Sequence, residues 1–297
     1  MADTVGIIGL GIMGGAFSKH LIAAGYAVVG YDVSEVAIGK FVADGGIAAS
    51  SPKAVGDQAS VVLLLLPSEN ALKLVIEAED GLRNTSRPGV TVVEMSTLGL
   101  EAKRDAFDAL AGSGIPLLDC PISGTGSQAA LRDIVLFASG NVASYERCRA
   151  LFETISRRQI YLGPFGNGSR LKYIANHLVT VHNVAAGEAL AFASKCGMDL
   201  RIVLDALSDS AASSKMLMVR GPLMVAGNYH SISATVTMQL KDIQVIGGFA
   251  GSIGMPLPLF ATAAQHYVAA IGCGLADKDT ASVCAVAERM AGIDRED

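Results

Sequence analysis

Along residues 4–162, short β-branched apolar runs alternate with amphipathic segments. The runs at 5–9, 27–31, 61–66, 91–95, 116–119 and 134–139 read as strands buried on both faces, the pattern of a parallel sheet covered by helices. Gly163-Pro164-Phe165-Gly166-Asn167-Gly168 then punctuates the chain, and strand signals vanish beyond it. Residues 169–196 carry a long helical pattern that Gly197 stops, at the C′ position where a left-handed residue fits best. Ala-, Leu- and Met-rich segments follow, separated by Gly221-Pro222 and by Met255-Pro256-Leu257-Pro258, and these read as further helices. The pattern predicts an α/β domain over residues 1–163 and an all-α domain over 164–297, without internal repeats or low-complexity stretches.

Composition narrows this picture. At 297 residues, 51% hydrophobic and 17% charged, the chain is long enough for two cores and too apolar for dominant disorder. Its mean hydropathy is +0.43. No apolar run approaches the roughly 18 residues of a spanning helix, and no basic-then-apolar leader stands before the first strand, so a cytoplasmic location is expected. With 23 basic and 28 acidic residues and no Lys/Arg block, nucleic acid is not an expected partner. The five cysteines form no CxxC pair and read as reduced, mostly core-filling thiols. The five histidines show no zinc-binding spacing, and no metal is expected.

The first candidate chemistry sits after strand one. Gly9-Leu10-Gly11-Ile12-Met13-Gly14 is a GxGxxG at the point where a helix should begin. Gly9 permits the tight turn, Gly11 lets backbone approach a pyrophosphate, and Gly14 lets helix and sheet pack closely. A glycine-rich turn alone can be only a turn. Here a second strand follows and ends on Asp32, at the spacing where a carboxylate meets a ribose 2′-hydroxyl. Asp32 would repel a 2′-phosphate, and no cation stands beside it, so NAD is expected over NADP.

Polar groups also mark later strand ends. Ser96-Thr97 follows one strand; Asp119-Cys120-Pro121-Ile122-Ser123-Gly124-Thr125-Gly126 follows another. Then Lys172 and Asn176, at i and i+4, leave one face of the long helix, and Thr180 and Asn183 continue the stripe. So apolar a helix should be buried, and buried Lys and Asn need partners, for which a ligand is one candidate. Taken alone, Lys172 also fits a solvated surface lysine.

Together these segments resemble the β-hydroxyacid dehydrogenase family, the group of 3-hydroxyisobutyrate dehydrogenase, tartronate semialdehyde reductase and, more distantly, 6-phosphogluconate dehydrogenase. The glycine run matches the family's GLGxMG, Leu66-Pro67 its LP, and Ser96-Thr97 its ST loop. Residues 119–129 are similar to DxPVSGGxxGA, and 166–176 match GxGxxxKxxxN without a gap. Glu188-Ala189-Leu190-Ala191, Lys241-Asp242 and the segment 276–281 resemble later motifs.

The resemblance implies a Rossmann domain followed by a 6-phosphogluconate dehydrogenase-like helical domain. It implies hydride transfer between NAD and a small 3-hydroxy acid, with Lys172 as general acid/base. By the same likeness Ser123, Gly124, Thr125 and Asn176 hold the substrate, and Gly9, Leu10, Gly11, Ile12, Met13, Gly14, Asp32, Leu66, Pro67, Thr97 and Lys241 serve the cofactor. Homodimers or homotetramers built through the helical half are also implied. Thr125 and Gln128 depart from the family's glycines, and Gly99 stands near its usual proline. An imine reductase on the same scaffold and a non-catalytic dinucleotide-binding module are the alternatives; the first usually lacks such a lysine, and the second would not need the Lys172, Asn176 and Ser123 constellation.

Overall fold

The computed structural model describes residues 4–230 and 234–293, which fall into two compact units, 1–172 and 173–297. The first unit opens with β1 (Thr4–Ile8), α1 (Ile12–Ala23), β2 (Ala27–Tyr31), α2 (Glu35–Ala43), β3 (Ile47–Ala48), α3 (Pro52–Gln58), β4 (Val61–Leu64) and α4 (Glu69–Glu77). It continues through β5 (Thr91–Glu94), α5 (Leu100–Ala111), β6 (Leu117–Asp119), β7 (Ile122–Ser123), α6 (Gly126–Ala130), β8 (Val135–Ala138), α7 (Val142–Ile155) and β9 (Arg158–Tyr161). The first turns of α8 (Asn167–Lys195) complete it.

Six strands form one parallel sheet in the order β3-β2-β1-β4-β5-β6. Alternate residues feed the two faces. Ile7, Leu63, Val93 and Leu118 lie in register across four strands and enter one core with Phe17 and Leu21. Val62, Val92 and Leu117 form the neighbouring row and enter the other core with Ile76 and Leu110. A strand buried on both sides has no polar positions to show, which is why these runs read as continuous apolar stretches. The crossover helices start on side-chain caps: the Ser34, Ser51 and Ser68 hydroxyls accept the N–H groups of Ala37, Ala54 and Ala71.

The expected strand at 134–139 belongs elsewhere. It forms β8 of a second sheet, antiparallel to β7 and parallel to β9. Two backbone hydrogen bonds between Asp119 and Ser139 tie the end of β6 to the end of β8. Both β7 and β9 escape a hydrophobic reading, since β7 has two residues and β9 reads Arg-Gln-Ile-Tyr on a largely exposed edge.

The second unit takes the remainder of α8 and adds α9 (Leu200–Ser208), α10 (Lys215–Ala226), α11 (Val236–Ser252), α12 (Pro258–Gly272) and α13 (Val283–Met290). No strand is present among its described residues. Gly197 takes φ +74 just beyond α8 as expected, and Pro258 starts α12. Gly221-Pro222, expected to separate helices, instead lies inside α10. Proline in a helix interior costs about 3 kcal/mol, but a side chain at Gly221 would collide with Leu204 of α9, so this glycine serves helix contact rather than chain reversal. None of the described helices is long and apolar enough to cross a membrane.

Candidate functional site

The dinucleotide motif sits at the carboxyl end of the parallel sheet, where the strand order reverses between β1 and β4. Gly9 takes φ +95, and a Cβ there would collide with the Leu65 carbonyl; one on Gly14 would collide with the Gly9 carbonyl. Both positions therefore demand glycine. Gly11 differs, because no atom lies within 4 Å of where its Cβ would stand. That open space lies at the N-terminus of α1, whose Gly11 cap makes no side-chain hydrogen bond and whose first turn holds no acidic residue. The unpaired N–H groups there suit a pyrophosphate. Leu10, Ile12 and Met13 are in place around this turn, Ile12 well exposed at the start of α1.

Asp32 follows β2 and does more than wait for a ribose. Its Oδ2 accepts the Leu10 N–H at 2.7 Å and its Oδ1 accepts the Ser34 N–H at 2.8 Å. Each oxygen keeps a second acceptor site, so the carboxylate can pin the glycine turn and still receive ribose hydroxyls. Among the described residues no Lys or Arg forms an ion pair with it.

The loops after β4 and β5 complete this edge. The Leu66 N–H donates to Ser96 Oγ at 2.8 Å, which joins the Leu66-Pro67 turn to the Ser96-Thr97 turn. Gly99, near the position usually held by proline, donates its N–H to Glu69 Oε1 at 3.0 Å, and a side chain there would collide with that carboxylate. A proline could not make this bond.

The substrate-like loop lies in the same unit. Ser123 closes β7, and Gly124 takes φ +148 with no room for a side chain beside Ile134. Thr125 and Gln128, the two departures from the family pattern, explain each other: they form a reciprocal capping box at the start of α6. The Thr125 N–H donates to Gln128 Oε1 at 3.0 Å, and the Gln128 N–H donates to Thr125 Oγ1 at 3.4 Å. α6 packs against α1, for a side chain at Gly126 would strike Ile12, and His20 Nε2 lies 2.9 Å from the Ala129 carbonyl. The substrate-like loop thus rests on the cofactor helix.

Lys172 lies in the second turn of α8 and is 9% exposed, so it is not the solvated surface lysine that it could have been. The start of this helix is held by groups whose part in holding it the sequence motifs did not reveal. Asp119, fully buried, accepts the Ser169 N–H at 2.8 Å and the Ser169 hydroxyl at 2.7 Å. Ser139 Oγ accepts the Gly168 N–H at 2.9 Å and donates to Asp119. A side chain at Gly168 would collide with the carbonyls of Asp119 and Phe137. The segment leading into Ser123 and the turn leading into Lys172 are therefore packed on one another.

Behind Asp119 lies Lys103, with no exposed surface, 2.9 Å from Asp119 Oδ1 and 2.5 Å from Glu94 Oε2. Burial pulls the Lys103 pKa down, but the Asp119 and Glu94 charges more than offset it and hold the ammonium above its ordinary value. It also donates to the Ser96 carbonyl at 2.8 Å, while Glu94 Oε1 accepts the Ser96 N–H at 2.9 Å.

In the second unit, Asn176 is 8% exposed and donates from Nδ2 to Asp242 Oδ2 at 2.8 Å; the other oxygen of Asp242 pairs with Lys241 at 2.9 Å. Asp242 sets the direction of the Asn176 amide, a role its place beside Lys241 did not reveal. The rest of the polar stripe on α8 finds partners within the protein. Gln239 donates to Thr180 Oγ1 at 2.8 Å, Thr180 Oγ1 donates to the Asn176 carbonyl, and Asn183 donates to Tyr267 Oη at 2.9 Å and to the Thr280 carbonyl at 2.8 Å. Of the cysteines, Cys120, Cys148 and Cys284 are buried, whereas Cys196 is exposed and Cys273 half-buried.

The fold and the glycine turn are those of a dinucleotide-binding protein, and comparison with known proteins specifies which class. Residues 4–163 match the model for the NAD binding domain of 6-phosphogluconate dehydrogenase. Residues 166–287 match that for the NAD-binding of NADP-dependent 3-hydroxyisobutyrate dehydrogenase. L-threonate dehydrogenase of Cupriavidus necator is 30% identical, aligned over 95% of both chains. NAD-dependent L-serine dehydrogenase of Pseudomonas aeruginosa is 27% identical over 93% of this chain and 94% of its own. The crystal structure of 3-hydroxyisobutyrate dehydrogenase from Salmonella typhimurium superposes with a TM-score of 0.86 at 28% identity, covering 96% of this chain and 99% of that one. The chain belongs to the β-hydroxyacid dehydrogenase family, NAD(P)-dependent oxidoreductases acting on hydroxy acids.

Proposed function

We infer that the protein reversibly oxidises a small 3-hydroxy acid with NAD, and that Lys172 handles the proton. The observation that carries this reading is Lys172 itself: a buried lysine on α8, one turn before a buried Asn176. When bound, the nicotinamide supplies the hydride acceptor; the protein supplies position and proton transfer. A carbinol carbon releases hydride readily only as its hydroxyl proton leaves, so a base must lie within hydrogen-bond reach of that oxygen. Lys172 takes the proton in oxidation and returns it in reduction. Asn176, oriented by Asp242, binds the substrate without a like-charge clash. Ser123 and the backbone at Gly124 hold its carboxylate side, since a backbone N–H beside a hydroxyl suits an anion; Thr125, whose own N–H is taken by Gln128, flanks the substrate through its side chain.

For the cofactor we assign pyrophosphate contacts to the turn of Gly9, Leu10, Gly11, Ile12, Met13 and Gly14, and ribose contacts to Asp32. Leu66, Pro67, Thr97 and Lys241 flank the bound dinucleotide. Asp32 favours NAD because a 2′-phosphate would meet a carboxylate with no compensating cation. Relatives that act on L-threonate and L-serine support a small polar acid as substrate, with 3-hydroxyisobutyrate one member of the class. A cytokine-like nuclear factor of Anopheles gambiae, 28% identical over 94% of this chain but only 49% of its own length, keeps a non-enzymatic reading in view. NADH formation from NAD, tested across 3-hydroxyisobutyrate, L-threonate, L-serine, D-glycerate and 4-hydroxybutyrate, separates the two. Turnover of at least one acid is expected. Dinucleotide binding with no turnover of any would favour the binding module.

A further inference from the structure

We propose that Asp119, backed by Lys103 and Glu94, is a positioning residue that sets Lys172 in register with the cofactor-side loops; this rests on the reading of Lys172 as the acid/base. The carboxylate has four acceptor directions, and each meets a partner. Oδ1 receives Lys103 Nζ and the Ser169 hydroxyl; Oδ2 receives the Ser169 N–H and lies 3.2 Å from Ser139 Oγ. Asp119 therefore caps α8 from 50 residues away, satisfying the Ser169 N–H, which has no partner within the helix. It does so three residues before Lys172.

The same ammonium that braces Asp119 reaches the other side of the site. Lys103 Nζ donates to the Ser96 carbonyl, Glu94 receives the Ser96 N–H, and Ser96 Oγ receives the Leu66 N–H. One buried cluster thus grips the Leu66-Pro67 turn, the Ser96-Thr97 turn and the first turn of the helix that carries Lys172, all within the first unit.

Stability alone does not account for it. Two buried carboxylates and one ammonium leave a net negative charge in the core, and replacing buried ion pairs by apolar side chains is often neutral or stabilising. What an apolar core could not supply is directional bonding to three separate segments. Reacting groups must be held closely, since a displacement of about 1 Å can cost on the order of a hundredfold in rate.

The test is a double-mutant cycle on the full-length protein with NAD and the acid turned over fastest in the substrate panel. Ser169→Ala removes the hydroxyl from Asp119 and keeps the backbone bond. It is expected to lower kcat by about tenfold, with KM for NAD within about twofold of wild type. Asp119→Asn, which keeps the shape but loses the charge, should lower kcat further, and its rate-versus-pH profile should be displaced. In a Lys172→Ala background, followed by single-turnover measurement, Ser169→Ala and Asp119→Asn should cause no further loss, because they act through the lysine. Equal losses in both backgrounds, or a fall in Tm with kcat intact, would overturn the positioning role while leaving Lys172 in place. Near-wild-type turnover by Lys172→Ala would instead remove the reading on which the proposal stands.

Discussion

Asp32 shows how one side chain can hold structure and still be assigned a ligand. By accepting the Leu10 N–H it fixes the glycine turn, and in the proposed reading its charge disfavours a 2′-phosphate. Asp32→Ala should therefore weaken NAD binding by calorimetry and narrow the kcat/KM preference for NAD over NADP. A wild-type preference for NADP would overturn the assignment. The thiols illustrate the opposite case, residues with reactive chemistry held silent. Burial pushes the Cys148 thiol up to about 12 and the Cys120 thiol well above its ordinary value, so neither forms thiolate near neutral pH. An aromatic disulfide reagent should leave Cys120, Cys148 and Cys284 unmodified in the native protein at neutral pH and label all five cysteines once it is denatured. Rapid native labelling of the buried three would contradict their place in the core.

Helix α6 carries the chain's departures from its family's substrate loop. Thr125 reads from the sequence as added bulk and a hydroxyl near the substrate, but the structure uses that hydroxyl in a capping box with Gln128. Thr125→Gly removes a cap, whose loss costs from a few tenths to about 2 kcal/mol. It should lower Tm slightly and alter the ranking of acids by kcat/KM, with NAD affinity nearly unchanged. An unaltered ranking would mean that Thr125 caps the helix and nothing more. Elements of this kind were only partly legible in the sequence. The buried strands and the glycine turn could be read because their signals are local: an apolar run, a fixed spacing, a residue without Cβ. Strand β9 could not, because an exposed edge needs no apolar pattern, and Pro222 misled because proline usually ends a helix. Lys103 and Glu94 look like ordinary polar residues of α5 and β5; only the fold turns them toward Asp119, and Asp242 finds Asn176 only across 66 residues.

For the molecule as a whole, the buried ion cluster ties stability to pH. Lys103→Met leaves Glu94 and Asp119 buried without their counter-charge, a change of the kind that costs about 3–5 kcal/mol. The sign of the pH dependence follows from the raised Lys103 value. Its contribution is complete below the ordinary lysine pKa of about 10.4 and is lost only as pH rises through the higher folded value. The gap in unfolding free energy between wild type and Lys103→Met should therefore stay flat from about pH 6 to pH 9. A gap that closed toward pH 9 would mean that the ammonium is not held charged.

The central claim, that this chain oxidises a hydroxy acid with Lys172 as its acid/base, is tested most directly by the pH dependence of oxidation in wild type and Lys172→Ala, with NAD binding followed by calorimetry on both. Wild-type kcat should rise with pH through a single apparent pKa, and Lys172→Ala should lose that limb, with kcat lower by roughly 10² to 10⁴. Its NAD affinity should be unchanged, because the glycine turn and Asp32 are untouched. Lys172→Arg should fare little better, since guanidinium cannot accept the hydroxyl proton. A Lys172→Ala enzyme that kept both near-wild-type turnover and the pH-dependent rise would contradict the account.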